Sequence, residues 1–163
     1  GGGDWAQDRL VADAVLAFAA HKPVRLRNPQ AIRPWQHVLD ALNGYLTLGA
    51  ALLEQGARHA SSWNFGPDVS DDRPVSWVVE RIAARWGGGA SWQADGGQHP
   101  KEAVTLRLDS SKARTRLDWG PRLDLERAIE WTVDWYRGQL GAPGSARSLC
   151  IEQISRFRSI AAA

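Results

Sequence analysis

Residues 25–40 read Arg-Leu-Arg-Asn-Pro-Gln-Ala-Ile-Arg-Pro-Trp-Gln-His-Val-Leu-Asp. The run sets Arg25, Arg27, Asn28, Arg33 and His37 among two prolines and a tryptophan, a mixture that suits neither a core strand nor a helix face. Pro29 and Pro34 restrict the backbone, Asn28 both donates and accepts, and each arginine carries a rigid fork of donors matched to phosphate oxygens. The run's chemistry suits a phosphate, and the ordinary reading of such an arginine-rich run is a solvated turn between two elements. Its flanks set the fold class. Val24 to Leu26 predicts a short strand leading in, and the apolar spacing over 38–55 predicts a helix leading out, so strand and helix alternate in an α/β arrangement.

Working outward, Leu10, Val11, Ala14, Val15, Phe18 and Ala19 recur at helical spacing. They predict a helix over 8–20 opened by Asp8, with Arg9 in its first turn. Gly1-Gly2-Gly3 before it allows close backbone approach to a ligand, and exposed N–H groups at a helix start favour an anion. In the helix over 38–55, Val38, Leu42, Tyr45, Leu46, Gly49, Leu52 and Leu53 form the stripe expected to face inward, and Gly56 stops it. Further helices are predicted over 77–86 with Ser76 as N-cap, 110–117, 123–140 and 149–160. Strands are predicted at 62–65, 91–93 and 104–108, and the first two are expected to pair in parallel around a crossover helix. Gly87-Gly88-Gly89 reads as a helix stop and turn. Asn64, the one polar side chain of a buried-looking segment, reads as a satisfied amide or a ligand contact. By composition the chain divides into a lobe over 1–140, a linker over 141–147 and a helical tail over 148–163.

The chain has 163 residues, 44% of them hydrophobic, enough for a real core. Twenty basic residues face eighteen acidic ones, for a net charge of +2, which gives no electrostatic case for nucleic acid. One cysteine, Cys150, allows no internal disulfide, and no apolar span reaches membrane length, so a cytoplasmic protein is expected. The chain holds no methionine and opens on three glycines, which reads as a fragment of something longer. Four scattered histidines provide no metal-ligand spacing. There is no Gly-x-Ser-x-Gly elbow, no dinucleotide-binding Gly-x-Gly-x-x-Gly and no P-loop, so on its own chemistry the chain is a binding lobe.

Seven runs in order resemble one family. They are Gly-Gly-Gly-Asp-Trp-Ala-x-Asp-Arg-Leu (1–10), Arg-Asn-Pro-x-Ala-x-Arg-Pro-Trp-Gln-His-Val (27–38), Trp-Asn-Phe-Gly-Pro (63–67) and Arg-Pro-Val-Ser-Trp-Val-Val-Glu-Arg (73–81). After them come His-Pro-x-Glu-Ala (99–103), Leu-Asp-x-Ser-Lys-Ala-Arg (108–114) and Glu-Trp-Thr-Val-x-Trp-Tyr (130–136). The set is similar to the CDP-glucose 4,6-dehydratases, extended short-chain dehydrogenase/reductases.

The resemblance implies the C-terminal substrate-binding lobe of such a Rossmann-fold enzyme, without the N-terminal NAD-binding part. It implies a lyase that converts CDP-glucose to the 4-keto-6-deoxy sugar with NAD as cofactor, a homodimer when complete. The family's catalytic Tyr-x-x-x-Lys is not in this sequence, since Tyr45 is followed four residues on by Gly49 and Tyr136 by Leu140, so no catalytic residue is expected here. The resemblance implies diphosphate contacts from Arg9 and Arg33, nucleotide-side contacts from Arg27, Asn28 and Asn64, and a place for His99 on a loop folding over the ligand. Two alternatives stay open: a stand-alone, non-catalytic nucleotide- or partner-binding lobe, and a sister dehydratase acting on a GDP- or dTDP-hexose.

Overall fold

The computed structural model describes residues 1–97 and 103–160. In chain order the elements are α1 (Leu10–Ala19), β1 (Val24–Leu26), β2 (Ile32–Pro34), α2 (Val38–Gln55), β3 (Asp72–Pro74), α3 (Val75–Trp86), β4 (Trp92–Ala94), α4 (Ser111–Leu117), α5 (Leu125–Gly141) and α6 (Ala146–Ser159). Single 3-10 turns at Gly56–His59 and Val69–Asp71 join α2 to β3.

Local chemistry fixes the helix ends. Asp124 caps α5, its carboxylate accepting the Arg127 backbone N–H at 2.8 Å. His37 caps α2 through ring Nδ1, which accepts from the Leu39 N–H at 3.3 Å, and Gly56 at φ 61° ends that helix. The glycine run 87–89 holds three positive φ angles after α3, the stop and turn read from the sequence.

The core forms where α1, β1, α3 and α5 meet. Phe18, Leu26, Val79, Ile82, Ile129 and Val133 are buried in one cluster there. A second cluster joins Val15 to Trp135 and Tyr136, a third groups Phe65, Ala113 and Trp119, and a fourth groups Leu123, Trp131 and Phe157. α6 thus closes onto α5, and the Gln153 side chain donates to the Trp131 carbonyl at 2.6 Å.

Several sequence expectations change. The parallel pair is β1 with β4, in the register Val24 to Trp92 and Leu26 to Ala94. Residues 62–65 join no ladder; Phe65 is buried by packing and its carbonyl accepts from Gln36. β2 pairs antiparallel with β3, and of the predicted strand 104–108 only Thr105 bridges, to Ile32. α1 begins at Leu10 and not at Asp8, because Asp8 sits at φ 61°, a left-handed conformation that Asp tolerates better than most residues. α3 begins at Val75 after Pro74, so Ser76 is inside the helix, where its N–H donates to the Pro29 carbonyl at 2.9 Å.

The largest change concerns α2. Its buried positions are Asp40 and Gly44, while Leu46 is 75% exposed, Leu53 91% and Tyr45 60%. The helix is apolar on two sides. The side that packs inward carries Gly44 and Leu48 against Phe65, and the stripe expected to be internal faces out.

Candidate functional site

The start of α1, the segment from β1 to β2 and the first residue of α3 enclose a cleft of about 400 Å³. Arg9, Arg25, Arg27, Asn28 and Arg33 line it, with the carboxylates of Asp8 and Asp13. Four guanidinium groups against two carboxylates make this cleft cationic.

Each contributor is held by its element. On β1 the burial alternates, so Val24 and Leu26 anchor the strand in the core and Arg25 faces the cleft. The turn after β1 closes with the Ala31 N–H on the Asn28 carbonyl at 3.1 Å, and the Val75 N–H on the Ala31 carbonyl ties it to α3 at 3.0 Å. Those bonds fix Asn28 on the cleft wall. Arg33 on β2 donates from Nη1 to the carbonyls of Ile32 and Ala103, both at 2.9 Å, so it also anchors the segment after residue 102. Arg27 meets the Asp8 carboxylate at 2.6 Å.

Arg9 is the N-cap of α1, and no side chain caps this helix. The first-turn N–H groups therefore have no side-chain acceptor, and Leu10 and Asp13 of that turn line the cleft. Among the described residues, the guanidinium groups of Arg9 and Arg25 have no ion-pair or hydrogen-bond partner. Burial, then the neighbouring Asp8 charge, raises the Asp13 carboxyl above its ordinary range, with Arg27 opposing. The cleft thus combines one ion pair, Arg27 with Asp8, with the two unengaged guanidinium groups of Arg9 and Arg25.

Four of the six residues expected to bind ligand come together here: Arg9, Arg27, Asn28 and Arg33. Asn64 does not line this cleft; its amide donates to the Asp109 carbonyl at 3.2 Å. His99 lies outside the described residues. Arg25, named in the phosphate-suited run but not among the expected ligand contacts, also lines the cleft, and Asp13 was missed. Their signals were the strand alternation around Arg25 and the four-residue spacing that puts Asp13 on the Arg9 side of α1. Among the described residues no group of three His, Cys, Asp or Glu forms a metal cluster.

At the head of α2, His37 is 1% exposed, and burial lowers its pKa to about 3, the Gly1 amino group adding to the effect. Asp40, one turn on, is raised by burial, while its Oδ1 accepts the Arg122 N–H at 2.7 Å.

The fold is shared with part of the solved structures of sugar-nucleotide dehydratases and epimerases. The dTDP-glucose 4,6-dehydratase of Bacillus anthracis, in complex with NAD, superposes with a TM-score of 0.67 at 20% identity, over 87% of this chain and 43% of that one. The UDP-glucuronic acid 4-epimerase of Bacillus cereus, also in complex with NAD, gives 0.70 at 16% identity, over 89% and 43%. In sequence, the chain is homologous to the CDP-glucose 4,6-dehydratase of Salmonella typhimurium, 45% identical over 143 residues and 85% of this chain. It spans 40% of that relative's length. No protein-family model matches the chain.

Proposed function

We propose that the cleft holds the diphosphate of a sugar nucleotide, and that this chain is the C-terminal, substrate-binding part of a CDP-glucose 4,6-dehydratase-like lyase. The complete enzyme would convert CDP-glucose to CDP-4-keto-6-deoxyglucose and water. The observation that carries this reading is the set of four arginines gathered at an uncapped helix start. Arg9 and Arg25 offer unengaged forks, Arg27 exchanges Asp8 for a phosphate oxygen, and Arg33 joins the ligand to the segment at Ala103. Asn28 faces the nucleoside side. On resemblance alone, the reading adds Asn64 as a second nucleotide-side contact and His99 on the covering loop.

In this reading neither glycine run serves as an NAD phosphate loop. A side chain at Gly2 would overlap the Trp135 ring, so the first glycine run is a packing seat, and the second run ends a helix where phosphate would meet carbonyls. In this reading NAD, which supplies hydride transfer when bound, is held by the rest of the enzyme, and no residue here is assigned to catalysis. The exposed face of α2, with Leu42, Tyr45, Leu46 and Leu53, supports a place for that NAD-binding part, because an apolar stripe of this size calls for a cover. We assign the whole to the cytoplasm as a homodimer; no helix among the described residues is long and apolar enough to cross a membrane.

Calorimetric titration of CDP-glucose, GDP-glucose and dTDP-glucose tests the reading, on this chain and on the chain joined to an NAD-binding part. CDP-glucose is expected to bind tightest, and Arg33→Ala to weaken it about tenfold or more, as loss of a charge-assisted hydrogen bond implies. Equal affinity for all three would defeat the CDP assignment. An unchanged dissociation constant in Arg33→Ala would remove Arg33 from the site.

A further inference from the structure

The arch that carries Asp8 and Arg9 is gripped on both sides by one aromatic pair. Before the arch, Gly2 lies so close to Trp135 that any side chain there would overlap the indole. The Tyr136 hydroxyl donates to the Asp4 carbonyl at 2.6 Å, across 132 residues of sequence. Trp5 meets Tyr136 edge-on, with ring centroids 5.0 Å apart. After the arch, Val11 and Val15 of α1 pack against the same two rings. Trp135 is itself steadied by its indole N–H, which lies 3.3 Å from the Cys150 sulfur on α6. The residues between these grips, 6–9, are exposed. Within them the hydrogen bonds are the Ala6 N–H to the Asp4 carboxylate, the Arg27 link to Asp8, and two to Asp13 of α1, whose N–H donates to the Arg9 carbonyl at 2.8 Å and whose carboxylate accepts the Asp8 backbone N–H. The arch is thus held by its aromatic grip, by Arg27 and by the first turn of α1.

We propose that Trp135 and Tyr136 are positioning residues for the anion cleft: from α5 they set the height of the arch, and with it the Arg9 fork and the open first turn of α1. The inference rests on the diphosphate reading of the cleft. Neither ring lines the cleft, so both act through the arch, and an error of about an ångström in a charged fork is enough to lose much of its contact with a phosphate.

The experiment uses the chain with Tyr136→Phe, which keeps the ring and removes the hydroxyl, and with Trp5→Ala, which removes the contact from the arch side. Hydrogen exchange without ligand and calorimetry with CDP and with cytidine are measured on each. Exchange over residues 5–13 is expected to speed up at least threefold, with α3 and β4 unchanged. CDP affinity is expected to fall three- to tenfold while cytidine affinity stays within twofold, because only the phosphates meet Arg9. A general loss of structure would speed exchange in α3 as well, or weaken both ligands alike, and that result overturns the inference. So does unchanged exchange at 5–13, or unchanged CDP affinity, in both variants. If the unsubstituted chain binds cytidine and CDP equally, the diphosphate reading itself has failed, and the inference falls with it.

Discussion

α2 and α5 are near twins in length, at 18 and 17 residues, and both are capped at the first turn by a side chain. Their fates differ. α5 buries eight residues, among them Trp131, Val133, Trp135 and Tyr136, and it touches three of the four hydrophobic clusters. α2 buries only Asp40 and Gly44, and turns a row of leucines to solvent. One helix completes the core of this chain, and the other leaves an apolar face exposed. Helical periodicity reports that a face is apolar; it does not report which polypeptide covers it.

The sharpest way to break this comparison is to cut into α5. Trp131 is buried against Leu123 and Phe157, with the Arg156 guanidinium 4.4 Å over its ring. Trp131→Ala is expected to cost about 3 to 5 kcal/mol, the range for truncating a large buried aromatic, read as a lower denaturant midpoint. A loss under about 1 kcal/mol would show that α5 is not the keystone described here.

The next effect is on pH, and it belongs to the head of α2. His37 is neutral in the fold, with its pKa pulled to about 3, whereas an unfolded histidine titrates near 6.5. Between those values the unfolded chain binds the extra proton, so stability falls as pH drops through the window and is restored above it. Asp40 works in the opposite sense. Its raised carboxyl takes up a proton in the fold first, so its cost grows as pH rises from about 3.8. From pH 7 to pH 5 the unsubstituted chain is expected to lose roughly 2 kcal/mol more unfolding free energy than His37→Asn, which keeps a capping acceptor. Parallel pH profiles for the two proteins would place His37 in contact with water.

The smallest effect on stability is expected on the outer row of α2. Leu46→Ala and Leu53→Ala should each change unfolding free energy by less than about 0.5 kcal/mol, as surface positions do. The same two changes should weaken association with an NAD-binding part supplied separately, measured by analytical ultracentrifugation. Losses of 2 kcal/mol or more in the chain alone would mean that this face is internal after all.

Much of the fold was legible in the sequence. The bounds 38–55 for α2 were read as they stand, because Pro34 before it and Gly56 after it leave little choice. The cleft was legible in part: Arg9, Arg27, Asn28 and Arg33 were chosen through family resemblance, and physical chemistry alone could not separate them from a solvated turn. What stayed hidden was long-range. Nothing in the composition of 62–65 says that β1 will take β4 as its partner, since short apolar segments compete for the same edge. The left-handed turn at Asp8 was also hidden, because the Asp8–Arg27 pair that accompanies it joins residues nineteen apart.

The three glycines that open this chain look interchangeable on paper and are not. At position 2 the demand is for volume, because the Trp135 ring occupies the space a side chain would need. At position 3 it is for handedness, since φ is 93° and an alanine there meets only ordinary contacts with the same ring. Chirality therefore tells the two apart. Incorporating D-alanine by chemical ligation suits the positive φ at position 3, while at position 2 the obstacle to an L-alanine is the indole itself and not the backbone.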